Sequence, residues 1–214
     1  MNRQKPLQVV TDLGEGIDTM RTNNWREIEM KKLFYVRHGQ TVMNVQGLLA
    51  GQIETPLTDE GREQAEVAGA VLASEYPKID LIVSSLLSRA YDTAKLIADQ
   101  IDYPHEKILT NTLLAERSFG VREGTVFTFE GPFNTSKEYR ALDKVKNAET
   151  FEQVHQRAAK ALDYLRSLPE DNILVVSHSG FGRALRLVVQ ERPYIHDYTH
   201  DDTRIGNAEI VELI

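Results

Sequence analysis

Two histidines in this chain follow short apolar runs that end abruptly. Leu33-Phe34-Tyr35-Val36 stops at Arg37-His38-Gly39, and Ile173-Leu174-Val175-Val176 stops at Ser177-His178-Ser179-Gly180. A third run, Asp80-Leu81-Ile82-Val83, leads into Ser84-Ser85 and then Arg89. Four apolar residues without alternation read as a strand buried on both faces, as in a parallel sheet. In open α/β sheets ligands sit just beyond the carboxyl ends of the strands. The three ends are therefore expected to bring Arg37, His38, Arg89 and His178 into one crevice. Two imidazoles and two guanidiniums together describe a site for a phosphate group.

Neutral histidine is a competent nucleophile toward phosphorus, and a covalent intermediate divides one hard displacement into two easier ones. His38 is the expected nucleophile. Arginine grips phosphoryl oxygens with a planar fork of donors, so Arg37 and Arg89 can hold the dianion and offset charge that spreads in the transition state. His178 stands at a strand end with a helix starting behind it, and both can add donors. The departing alkoxide needs a proton, and Glu116, closing the apolar stretch Leu113-Leu114-Ala115, is the carboxyl group placed to give it. Arg-His-Gly by itself is a weak sign, because a histidine after a strand is usually a hydrogen-bonded loop residue. The second strand-to-histidine junction and Arg89 carry the argument.

Other chemistries fail on particular residues. Gly180-Phe181-Gly182 follows a strand as a dinucleotide-binding turn would, but Leu185 stands where the third glycine belongs. Ser179 sits where a hydrolase elbow would place its nucleophile, but Ser177 replaces the first required glycine. No Walker sequence is present. His196-Asp197 and His200-Asp201-Asp202 have metal-like spacing but read as a solvated polar loop.

Helices must alternate with these strands to hold their ends level. Thr58-Asp59-Glu60 supplies an N-cap with acids in the first turn, ahead of a helix to about Tyr76 with Ala65, Ala68, Gly69 and Leu72 on one face. A second helix to about Asp99 carries Leu87, Ala90, Ala94, Ile97 and Ile101 at helical spacing. A short strand is expected near Lys107 to Leu109. Thr150 and Gln153 form a capping-box pattern before a stripe of Phe151, Val154, Ala158, Ala161, Leu162 and Leu165, which reads as core. A helix from about Gly180 to Gln190 and a last strand from Ala208 to Leu213 complete the order. Strand, helix, strand, helix implies parallel pairing with right-handed crossovers. Residues 40–57 read as a loop.

With 214 residues the chain is long enough for a full core. Residues 1–29 are polar and mixed in charge and are expected to be a poorly ordered extension ahead of one domain over residues 30–214. Between about 120 and 150 Phe127, Phe129 and Phe133 alternate with glycine and proline, and a short amphipathic helix would carry Tyr139, Leu142 and Val145. That stretch is expected to cap the crevice. The net charge of −7 without a basic block argues against nucleic acid as a partner, and no apolar run approaches a membrane span. The absence of cysteine excludes disulfides and thiolate sites and fits a cytoplasmic protein.

The motifs then resemble a known family. Arg37-His38-Gly39-Gln40-Thr41-Val42-Met43-Asn44, Gly51, Pro56-Leu57-Thr58, Gly61 and Gln64-Ala65 resemble the opening signature of the histidine phosphatase superfamily, the phosphoglycerate-mutase-like proteins. Ser84-Ser85-Leu86 with Arg89-Ala90, Leu114-Ala115-Glu116 with Phe119-Gly120 and Glu123-Gly124, Val176-Ser177-His178-Ser179-Gly180 and Asn207-Ala208-Glu209 continue it in order. The resemblance implies a three-layer α/β/α sandwich around a mostly parallel sheet with an antiparallel edge strand. It implies that His38 becomes phosphohistidine, that Arg37, Arg89 and His178 form the phosphate pocket, and that Glu116 donates the proton. Asn44 matches a phosphate-contacting position, and Thr41, Gly51 and Ser179 match pocket-lining ones. It implies no metal and no cofactor, and a small phosphomonoester as the partner. Residues 120–150 are short and aromatic, Ser118-Phe119 replaces the histidine and tyrosine usual in the mutases, and Met43 replaces their tryptophan. These departures point to a phosphatase. A phosphoglycerate mutase and a non-catalytic phosphate-binding module are the alternatives. Arg122, Lys137, Arg140 and Lys144 are candidates for a substrate carboxylate or second phosphate.

Overall fold

The computed structural model describes residues 31–126, 141–193 and 204–214. The N-terminal stretch 1–29, the aromatic residues Phe127, Phe129 and Phe133 with Lys137, Tyr139 and Arg140, and the His196 to Asp202 stretch lie outside the described residues. Five strands form one sheet: β1 (Lys32–Arg37), β2 (Leu81–Ser84), β3 (Leu109–Thr110), β4 (Asn172–Ser177) and β5 (Ile210–Glu212). Their order is β3-β2-β4-β1-β5. The first four run parallel, and β5 pairs with β1 antiparallel, as expected for an edge strand.

Side chains alternate across a strand, so an apolar run without alternation needs cover on both faces. Leu33, Tyr35, Ile173 and Val175 pack with Val154, Ala158 and Leu162 of α4 (Phe151–Ser167) and with Phe181, Ala184 and Leu185 of α5 (Ser179–Val189). The opposite face, Phe34, Val36, Leu174 and Val176, meets Ala68 and Leu72 of α2 (Asp59–Glu75) and Ala90, Ala94 and Ile97 of α3 (Ser88–Gln100). The result is the three-layer α/β/α sandwich. The α2 and α4 stripes read from the sequence are buried, and Thr58 and Thr150 cap those helices with their side chains.

One stretch read as a loop is partly helical. Residues 40–57 contain α1 (Val42–Val45). Thr41 and Asn44 cap it reciprocally: Asn44 N donates to Thr41 Oγ1 at 3.2 Å, and Thr41 N donates to Asn44 Oδ1 at 3.1 Å. Four residues are too few to show a helical period in sequence. Ala141 and Leu142 are helical and turns follow, with Leu142 buried.

The turn after β1 is set by backbone lying on backbone. A Cβ at Gly39 would stand 2.1 Å from Gly61 O, and one at Gly61 would stand 2.0 Å from Gln40 O. The segment leaving β1 thus rests directly on the first turn of α2, and Gly39 N donates to Thr93 Oγ1 at 3.1 Å. His38 is held between these two anchors and the end of its strand.

Candidate active site

Pairing register brings the strand ends together. Arg37 lies opposite Ser177 and Ser84 opposite Val176, so His38, His178 and Ser85 leave the sheet as neighbours. His38 N still donates to Ser177 O at 2.9 Å, extending the ladder by one residue. Its Nδ1 lies 2.7 Å from Gly39 O. A carbonyl oxygen only accepts, so Nδ1 carries the proton and Nε2 the lone pair. Arg89, in the first turn of α3, donates from Nε to that lone pair at 3.3 Å. Its two terminal nitrogens donate to Ile53 O at 2.9 Å and Gly51 O at 2.6 Å. Gly51 has φ +52°, and a Cβ there would stand 2.3 Å from Glu123 Oε1, so only glycine lets this loop turn its carbonyl to Arg89.

His178 is fully buried behind His38, with ring centroids 5.2 Å apart and planes at 61°. Its Nε2 is 2.8 Å from Ser85 Oγ, while Nδ1 has no hydrogen-bond partner among the described residues. Its backbone is clamped by one hydroxyl: Tyr35 donates to His178 O at 2.6 Å and accepts from His178 N at 3.0 Å. Burial pushes the Tyr35 phenol above its ordinary pKa, so the donor persists. Gly182 makes room for it, since a Cβ there would lie 2.6 Å from the Tyr35 oxygen.

Burial, reinforced by the charge of Arg89, holds both His38 and His178 well below the usual histidine value of 6.5. Both imidazoles are neutral around pH 7. A neutral His38 with Nδ1 protonated is the nucleophilic form.

Glu116 sits differently from the apolar setting its sequence neighbours suggest. Its Oε1 accepts from Arg117 N at 2.7 Å and Phe181 N at 2.9 Å, and its Oε2 accepts from Gly180 N at 3.0 Å. The N-cap residue of α5, His178, makes no side-chain capping bond. Glu116 caps that helix instead, from a distant part of the chain. Gly180 is required here too, because a Cβ would meet Glu116 Oε1 at 2.7 Å.

A cavity of about 300 Å³ opens in front of these groups. Arg37, His38, Asn44, Gly51, Arg89, Glu116 and Ser179 line it. Thr41 and His178 do not: Thr41 is buried as the cap of α1 with its hydroxyl engaged there, and His178 lies fully buried behind His38. Arg37 Nη1 donates to Ile205 O at 3.2 Å. Asn44 Oδ1 accepts from Thr41 N and, at 3.4 Å, from Asn207 Nδ2, which leaves the Asn44 amide nitrogen to donate. Leu48, Leu49, Phe119 and Leu142 form an apolar side.

A family model described as the histidine phosphatase superfamily (branch 1) matches residues 33–213. The chain belongs to this superfamily. Among its relatives, the metal-independent phosphoserine phosphatase of Arabidopsis thaliana is 30% identical over 190 residues, 83% of this chain and 78% of that protein. The 2,3-bisphosphoglycerate-dependent phosphoglycerate mutase of Bartonella bacilliformis is 36% identical over 94 residues, 44% of this chain and 46% of that protein. The structure of mycobacterial glucosyl-3-phosphoglycerate phosphatase in complex with VO3 superposes with a TM-score of 0.72 and 28% identity, over 85% of this chain and 92% of that one.

Several residues of this histidine phosphatase site escape sequence reasoning. Asn207 Nδ2 donates to His38 O at 2.9 Å and so ties the C-terminal segment to the nucleophile's own backbone. Its only signal is its place in the closing Asn207-Ala208-Glu209 run. Arg183 and Arg204 line the cavity, whereas Arg122 and Lys144 do not. Of the two arginines in the apolar run of α5, Arg183 falls among its buried positions and Arg186 does not, and an arginine at apolar spacing is the sign that could have found Arg183. Arg204 has no such signal. Tyr35 is hidden among its apolar neighbours on β1.

Proposed function

We propose that this histidine phosphatase hydrolyses small phosphomonoesters without a metal ion, through a phosphoryl group carried on His38 Nε2. One observation carries the reading: the 2.7 Å contact of His38 Nδ1 with Gly39 O fixes the lone pair on Nε2, beside Arg89 in the cavity wall.

A substrate phosphoryl oxygen takes the Arg89 N–H in place of His38, which frees the Nε2 lone pair. Arg37, Arg89, the Asn44 amide and His178 donate to the phosphoryl oxygens, and these donors are worth most as charge spreads in the transition state. Nε2 attacks phosphorus as the ester oxygen leaves on the opposite side, taking a proton from the Glu116 carboxyl. Water then attacks the phosphohistidine while the Glu116 carboxylate accepts its proton. Phosphate leaves, and His38 is neutral again.

The cavity size suits a small metabolite. Arg183 and Arg204 make its wall more positive still. Phosphoserine and phosphoglycerate esters, the compounds named for the relatives, therefore head the panel of candidates. The test is phosphate release from such a panel with a strong chelator present, with His38→Ala beside the wild type. Turnover by the wild type alone supports the proposal. Equal rates for the two proteins, or no release from any ester, would overturn it.

A further inference from the structure

The geometry points to Ser85 as the positioning residue that decides which nitrogen of His178 carries its proton, so that Nδ1–H is presented to the phosphoryl group. This rests on the hydrolase reading above.

Ser85 is fully buried where β2 ends, with its N donating to Val176 O at 2.9 Å. Its hydroxyl oxygen lies 3.3 Å from Leu87 N and 2.8 Å from His178 Nε2. Leu87 N can only donate, so Ser85 Oγ accepts there. The hydroxyl proton then needs an acceptor, and among the described residues His178 Nε2 is the one within reach. If Ser85 donates to Nε2, the proton of the neutral ring sits on Nδ1, and a single buried donor awaits a partner. The other tautomer leaves two buried groups unmatched: the Ser85 proton would have no acceptor and the Nδ1 lone pair no donor. Buried polar groups without partners are costly, so the first arrangement prevails. It also suits the ligand. A phosphoryl dianion offers only acceptors, which an N–H satisfies and a lone pair repels. The same hydroxyl braces Leu87, the residue that leads into α3 and so into Arg89. One serine therefore steadies two of the groups that the proposed mechanism sets around the phosphate.

Nitrogen-15 NMR of the histidine-labelled wild-type protein tests the assignment directly, because protonated and unprotonated ring nitrogens differ widely in shift. Protonation of His178 at Nδ1 is expected, and protonation at Nε2 would overturn the proposal whether or not any variant folds. In steady-state kinetics, Ser85→Ala should lower kcat and kcat/KM together by roughly tenfold to a hundredfold, and Ser85→Thr, which keeps the hydroxyl, should recover most of the loss. A wild-type rate in Ser85→Ala would equally overturn it. The NMR readout needs no turnover, so a failure of the hydrolase reading shows in phosphate release and a failure of the Ser85 assignment shows in the nitrogen shifts.

Discussion

Arg89 uses all of its fork. One nitrogen faces His38 Nε2 and the other two hold the carbonyls of Ile53 and Gly51, so the guanidinium is oriented before any ligand arrives. A lysine ammonium carries its three donors on one nitrogen and cannot reproduce the planar fork that reaches His38, Ile53 and Gly51 from separate nitrogens. Arg89→Lys is therefore expected to retain the charge and still lose roughly 10²–10³ in kcat/KM. Initial rates on the best ester of the panel measure this, and near-normal turnover would mean that Arg89 is a structural tie only. His38, Arg89 and His178 were readable from the sequence because each follows a buried strand, where topology leaves little choice of destination. Thr41 was not, since a threonine near a turn serves equally well as pocket wall or helix cap, and only the four-residue α1 decides between them. Asn207 acts on His38 from the far end of the chain, a contact that no local pattern encodes.

At the scale of elements, α5 depends on a carboxylate that belongs to another segment. Glu116 serves three backbone N–H groups, two of them in the first turn of this helix. Glu116→Gln keeps the shape but replaces one acceptor oxygen with an NH2 group, which leaves a buried backbone donor unmatched. A loss of about 1–3 kcal/mol is expected in denaturant unfolding. The same variant separates capping from proton donation. Rates on alkyl phosphates should fall by roughly 10²–10⁴, and rates on a nitrophenyl phosphate, whose leaving group needs no proton, should fall far less. Equal losses on both esters would assign Glu116 to the cap alone. The turn after β1 makes a second prediction. With Gly61 O at 2.1 Å from a Cβ at position 39, Gly39→Ala forces two backbone segments apart and is expected to lower stability by about 1–3 kcal/mol in thermal unfolding. The capping boxes and apolar stripes of the helices were readable because they are local. The cap on α5 was not, because it is made across the fold.

The whole molecule carries a net charge of −7 around a pocket whose wall holds Arg37, Arg89, Arg183 and Arg204. Two buried histidines at the strand ends, His38 and His178, stay neutral, which links folding to pH. In the unfolded chain both take up protons near 6.5, while in the folded protein both resist protonation until lower pH. The unfolded state thus binds more protons as pH falls below about 6.5, and stability drops in that direction. The pair can contribute a slope approaching about 2.7 kcal/mol per pH unit. Urea midpoints taken between pH 7.5 and pH 5 should fall on acidification, and a flat profile across that range would contradict the burial of both rings. Parallel pairing followed from three apolar runs separated by helical patterns, whereas the order of the strands and the way distant segments close around His38 depend on packing that composition and spacing do not record.

All of these roles meet at His38 Nε2. The most direct measurement is acid-free quenching of the enzyme during turnover, followed by peptide mass spectrometry and phosphorus NMR under alkaline conditions that preserve phosphohistidine. A phosphoryl group on Nε2 of His38, absent from His38→Ala and lost when excess ester is exhausted, is the predicted result. Steady phosphate release with no phosphoryl group on the protein, or with one on another residue, would contradict the account.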